Sequence, residues 1–93
     1  MFKHAISGEL TIYTAAVEKS ALQALLERES ELELNLAQIN EMDSAGLQVL
    51  IALKTAAAKK NKKLSYVMHS KAVLDILEMT NMTIAFGDQI ILT

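Results

Sequence analysis

Cysteine is absent from the 93-residue chain, which excludes a disulfide framework and any zinc site built on thiolates. Nothing therefore argues for an oxidising compartment, and the cytoplasm is the expected location. Proline is absent as well, and the three glycines are scattered at positions 8, 46 and 87, so no linker or low-complexity segment divides the chain. Aromatic residues make up only 4% of the sequence, so any core must be aliphatic. No run approaches the roughly 18 apolar residues of a membrane span, and the opening MFKHAISGEL lacks the apolar stretch of a signal peptide. A large charge excess is missing too: nine basic and eleven acidic residues leave a net charge of -2, too little to draw nucleic acid or an acidic membrane by overall field.

What is present is 52% hydrophobic content, enough for one compact domain spanning residues 1–93. Residues 4–13, HAISGELTIY, alternate apolar and polar on both sides of Gly8 and predict a hairpin. Thr14 is positioned to cap a first helix with Val17, Ala21, Leu22, Ala24 and Leu25 at helical spacings. In residues 31–39, Leu32, Leu34 and Leu36 alternate with Glu31, Glu33 and Asn35, the pattern of a half-buried strand. AGLQVLIALKTAAAKKNKK then predicts a second helix ending near Asn61, with Gly46, Val49, Leu50, Leu53 and Ala57 on its core face. LSYVMH, residues 64–69, reads as a buried strand. Ser70 is placed to cap a third helix running to about Thr80, with Ala72, Val73, Ile76 and Leu77 inward, and IILT forms a last short strand. Strands alternating with helices imply an α/β fold with parallel pairing in the middle of one sheet.

The segment NEMDSAGLQVL sets Ser44 where strand passes into helix. A hydrolase nucleophile elbow also puts a serine there, but position 42 is Met rather than Gly, and the only imidazoles, His4 and His69, lie in predicted strands with no acid partner. No catalytic residue is assigned. Glu41 and Asp43 lack a third ligand nearby, so no metal or other cofactor is assigned either. Lys54, Lys59, Lys60, Lys62 and Lys63 form the one basic cluster. It suits the negative end of the second helix, with an anionic partner surface as the alternative, and the lack of interleaved aromatics disfavours single-stranded nucleic acid.

Either Asp43 or Ser44 satisfies the preference for an N-cap. Gly46, in the first helical turn, costs about 1 kcal/mol relative to alanine unless another backbone approaches closely. Leu47 and Ile51 fall about a quarter turn or more from the core face of that helix, and are either the edge of a wide core stripe or apolar surface beside the serine. Asp43, Ser44, Ala45, Gly46, Leu47 and Ile51 together look like a docking site.

On GELTIYTA, LNLAQINEMDSAGLQVLIAL and KLSYVMHSKAVLDILEMTNM, the chain resembles the STAS domain family, the module of bacterial anti-sigma factor antagonists, with DSAGL the most specific part. The resemblance implies a single STAS-like α/β domain, with a mixed sheet of four to five strands and three or four helices packed mainly on one side. It also implies that Ser44 is phosphorylated by a partner serine kinase of histidine-kinase-like fold that is itself the anti-sigma factor, and dephosphorylated by a phosphatase. Ser44 would then be a substrate, not a catalyst. Members commonly continue into a further C-terminal helix, whereas this sequence stops at Thr93. Domains of the family also serve as accessory subunits of lipid-transport ABC ATPases and as modules of transport or chemotaxis-type signalling proteins.

Overall fold

The computed structural model describes residues 1–80. Three strands alternate with three helices: β1 (Phe2–Leu10), α1 (Ala15–Arg28), β2 (Glu31–Met42), α2 (Ser44–Lys59), β3 (Lys63–Val67) and α3 (Lys71–Thr80). The sheet order is β1-β2-β3, and both pairs are parallel. Each connection between paired strands must therefore carry the chain back along the sheet, which α1 and α2 do.

Residues 4–13 do not form the expected hairpin. They continue from Phe2 as one strand to Leu10 and then turn into α1. Gly8 has φ of +87° and nothing within 4 Å of where a Cβ would stand, so glycine is used there for its backbone conformation and not for space. The conformation marks a ladder irregularity instead of a chain reversal. Register shifts fall between Ala5 and Ser7 and between Gly8 and Glu9, so pairing that begins at Phe2 with Leu32 ends at Leu10 with Met42. The same shift changes the parity of β2: Leu32, Leu34 and Leu36 face inward, and the next buried residue is Ile39. Among the described residues the sheet has three parallel strands, where four to five in mixed directions were expected. The predicted strand IILT lies outside the described residues.

The buried side chains of all three strands belong to one face, where Ile6, Leu10, Leu32, Leu34, Leu36, Ile39, Leu64 and Tyr66 meet the helices. The opposite face carries Lys3, Ser7, Glu31, Gln38 and Lys63, all exposed. On α2 the predicted face is the observed one, with Gly46, Val49, Leu50, Leu53 and Ala57 buried. On α1 it is rotated: Leu22 and Leu26 are buried, while Val17 is 73% exposed and Ala21 and Ala24 are exposed. That helix is apolar around much of its circumference, and the longer leucine side chains, each burying more apolar area, take the core.

The caps explain the boundaries. Ser70 Oγ accepts from Val73 N at 3.3 Å and starts α3 as expected. At the end of α2, Asn61 turns left-handed with φ of 55°, Asn61 N donates to Ala58 O, and Lys62 N donates to Ala57 O, which is a Schellman closure. Thr14 stands at the N-cap position of α1 but makes no side-chain cap bond. Its hydroxyl turns back instead, donating to Glu9 O at 3.1 Å and accepting from Thr11 N at 3.1 Å.

Candidate functional site

The transition from β2 to α2 is organised by Asp43. Its backbone is extended, with φ of -129° and ψ of -173°, which aims the carboxylate back over the first turn of the helix. Asp43 Oδ1 accepts from Ala45 N at 2.9 Å and Gly46 N at 3.1 Å, while Leu47 N closes the first backbone bond to Asp43 O at 3.1 Å. The other oxygen, Oδ2, accepts from Ile12 N at 3.0 Å, 31 residues away in the β1–α1 turn. These amides favour the ionised form, with Ile12 the largest contributor, and hold the Asp43 carboxyl below its ordinary value of 3.8.

Because Asp43 is the cap, Ser44 is not. Ser44 is the first residue of α2 and is exposed. Gly46 behind it is buried, and a Cβ there would stand 2.0 Å from Leu10 O, so the close backbone approach inferred from the sequence exists and comes from the end of β1. That contact and the Asp43 bond to Ile12 N pin the start of α2 to the end of β1 and to the turn that follows.

Of the six residues read as a docking surface, Asp43, Ser44, Ala45, Gly46 and Leu47 stand at the start of α2 and Ile51 lies about two turns further along it, and they are exposed unequally. Ser44 is exposed, and Asp43, Ala45 and Ile51 are half-buried. Gly46 and Leu47 are buried, Leu47 to 2% exposure. Of the two readings of Leu47, the structure takes the edge of a wide core stripe and not the docking surface: α2 packs against α1, α3 and the sheet, so its buried arc is wider than a helix lying on a sheet alone would have. The large apolar side chains exposed beside Asp43 belong to the β1–α1 turn, where Ile12 is 69% and Tyr13 90% exposed. They were missed because the strand was expected to run through Tyr13, whereas it ends at Leu10.

The turn itself is tightly bonded. Thr14 N and Ala15 N both donate to Thr11 O, at 3.0 and 2.7 Å, Thr11 Oγ1 donates to Glu9 Oε1 at 2.7 Å, and Tyr13 N donates to Thr11 Oγ1 at 3.3 Å. Glu9 in turn pairs with Glu41 across the ladder. Among the described residues, no group of three His, Cys, Asp or Glu is arranged to hold a metal ion.

The lysine cluster is largely committed within the fold. Lys62 Nζ donates to Leu26 O at 2.5 Å and Glu27 O at 2.7 Å, capping the carbonyl end of α1. Lys60 pairs with Glu27 at 2.9 Å, and this bond and charge lower the Glu27 carboxyl. Lys54 Nζ donates to Leu64 O at 2.6 Å and lies 5.3 Å from the Tyr66 ring centroid. No helix among the described residues is long and apolar enough to cross a membrane.

Over residues 4–92 the chain matches the family profile described as "Mlab, STAS domain". No curated protein matches. Among solved structures, the fold is similar to the anti-sigma factor antagonist SpoIIAA in its unphosphorylated form, with a TM-score of 0.71 at 12% sequence identity, covering 95% of this chain and 76% of that one.

Proposed function

The chain belongs to the STAS domain family, and from that membership we propose that it is a phosphorylation-regulated partner-switching protein of the anti-sigma factor antagonist kind. With Ser44 unmodified it binds a cytoplasmic serine kinase of histidine-kinase-like fold that acts as the anti-sigma factor. With Ser44 phosphorylated it releases that partner, and a phosphatase resets the cycle. The protein is the substrate in this scheme and catalyses nothing itself. One observation carries the reading: Ser44 opens α2 with its side chain exposed, while the capping duty falls to Asp43.

The asymmetry between fold and complex follows from that placement. A phosphate adds a charge of roughly -1.5 to -2 at pH 7. For the isolated domain it lies at the positive end of α2, where the dipole favours it by about 0.3–1 kcal/mol, offset by repulsion from Asp43. In a complex the same group must lose water beside an ionised carboxylate, and a penalty of about 3 kcal/mol weakens binding roughly 100-fold. With Leu47 buried, the apolar part of the contact falls to Ile12, Tyr13 and the half-exposed Ile51.

Calorimetry against the kinase, using wild type, Ser44→Ala, Ser44→Asp and the phosphorylated protein, tests this. Ser44→Ala is expected to bind like wild type, Ser44→Asp more weakly, and the phosphorylated form about 100-fold more weakly. If the phosphorylated protein binds as tightly as Ser44→Ala, the switch is disproved.

The matching profile carries the Mlab description and not that of an anti-sigma factor antagonist, which favours a second reading within the family. In it the domain is a constitutive accessory subunit of a lipid-transport ABC ATPase with Ser44 a permanent contact; a module of a chemotaxis-type pathway is a further alternative that the description does not favour. A transport ATPase co-purifying equally with Ser44→Ala and Ser44→Asp would decide for the second reading, and a chemotaxis protein for the further alternative.

A further inference from the structure

Asp43 joins two pieces of chain that meet nowhere in the sequence. One oxygen holds the first amides of α2, beside the residue read as the phosphorylation site, and the other holds the amide that leads into the exposed Ile12 and Tyr13. The two ends are fixed by different means. The start of α2 is also clamped by Gly46 against Leu10 and by the Leu47 N bond to Asp43 O. The Thr11–Thr14 bonds shape the turn internally, but the bond from Ile12 N to Asp43 ties its exposed tip to α2.

We propose that Asp43 is a positioning residue that clips the Ile12–Tyr13 turn to the start of α2, and that a phosphate on Ser44 opens this clip. The proposal rests on the reading of Ser44 as the modified residue and adds a second route by which the modification acts. A phosphate one residue away is a doubly charged acceptor competing with the Asp43 carboxylate for the same few backbone N–H groups, while repelling it. The helix amides are local to both anions and can be shared between them. Ile12 N comes from another element, and it loses its acceptor when Asp43 is displaced. Charging Ser44 thus disturbs the apolar half of the partner surface as well as adding charge to the polar half.

Replacing Asp43 by Asn separates the two functions of its side chain. An asparagine keeps one carbonyl oxygen, enough to cap Ala45 N and Gly46 N, and turns an NH2 donor toward the Ile12 N–H, where two donors cannot bond. The helix start is retained and the clip is broken.

The experiment is amide hydrogen exchange by NMR on the whole protein at neutral pH: wild type, Asp43→Asn, Ser44→Ala, and protein with phosphoserine incorporated at position 44 during translation. Exchange at Ile12 is expected to rise about tenfold in Asp43→Asn and at least about fivefold with phosphoserine, and to stay at the wild-type rate in Ser44→Ala. Leu50 and Leu53 amides, within α2, serve as controls that the fold is intact. Unchanged exchange at Ile12 in the phosphoserine protein overturns the clip, even if that protein has lost its partner, in which case the switch works by charge at Ser44 alone. Raised exchange at Ile12 supports the clip, and if partner affinity is then unaltered it is the partner-switching reading that fails.

Discussion

At Asp43 an ionised carboxylate is held by amides from two elements, so the native state favours its charged form over the unfolded chain. Its folded pKa is depressed, so the stabilisation is present above the unfolded value of 3.8 and is lost as pH falls through the lower folded value. Glu27, lowered by Lys60, acts in the same sense, so the contribution of Asp43 is isolated by difference. Urea unfolding should show Asp43→Asn less stable than wild type above about pH 5, with the gap narrowing toward pH 2. A gap that does not depend on pH would mean that the charge of Asp43 is not what these amides hold. In the sequence, the need for a cap at this point is plain, but the choice between Asp43 and Ser44 is not. Both residue types cap well, and the tie is broken by Ile12 N, which no local pattern reveals. The same holds for Leu47, whose burial depends on helices on either side of α2 and not on its own periodicity.

For the elements, the decisive contact is between the first turn of α2 and the last residue of β1. Alanine at position 46 would place a Cβ 2.0 Å from Leu10 O, which is backbone and cannot swing aside. Gly46→Ala is therefore expected to lose about 3 kcal/mol, the upper end for overpacking, despite alanine's better helix propensity, read as a lower midpoint in denaturant at unchanged slope. The core face of α2 was legible because Val49, Leu50, Leu53 and Ala57 repeat at helical spacing, and the cap of α3 because Ser70 precedes an unbroken helical run. The hairpin was misread because alternation fits either direction of pairing, and a glycine with positive φ serves a bulge as readily as a turn. Only the partner strand, some 30 residues on, distinguishes them.

Across the whole molecule, the site lies on the surface of a core it does not interrupt. Ser44 is exposed, and its neighbours Gly46 and Leu47 are packed without its hydroxyl. Charge at Ser44 should therefore leave the fold standing: the melting temperature of Ser44→Asp is expected within about 2 °C of wild type. A drop several times larger would show that the serine belongs to the fold and would make weakened partner binding a symptom of unfolding. The basic cluster, conspicuous in the sequence, contributes mostly to cohesion. Lys62 and Lys60 tie the far end of α2 to α1, and Lys54 reaches β3, links that depend on helix ends meeting in space.

The two irregularities in the β1–β2 ladder act as a length adjustment. Had the pairing kept the offset with which it begins at Phe2 and Leu32, Leu10 would stand opposite Asn40, and Asp43 would overshoot the turn by two residues, or about 6.6 Å of strand. The two surplus residues taken up in β2 draw Asp43 back to where its carboxylate reaches Ile12 N. Removing one of those surplus residues is expected to sever the turn from the helix while the interior stays packed, because the strand's slack is what sets their alignment.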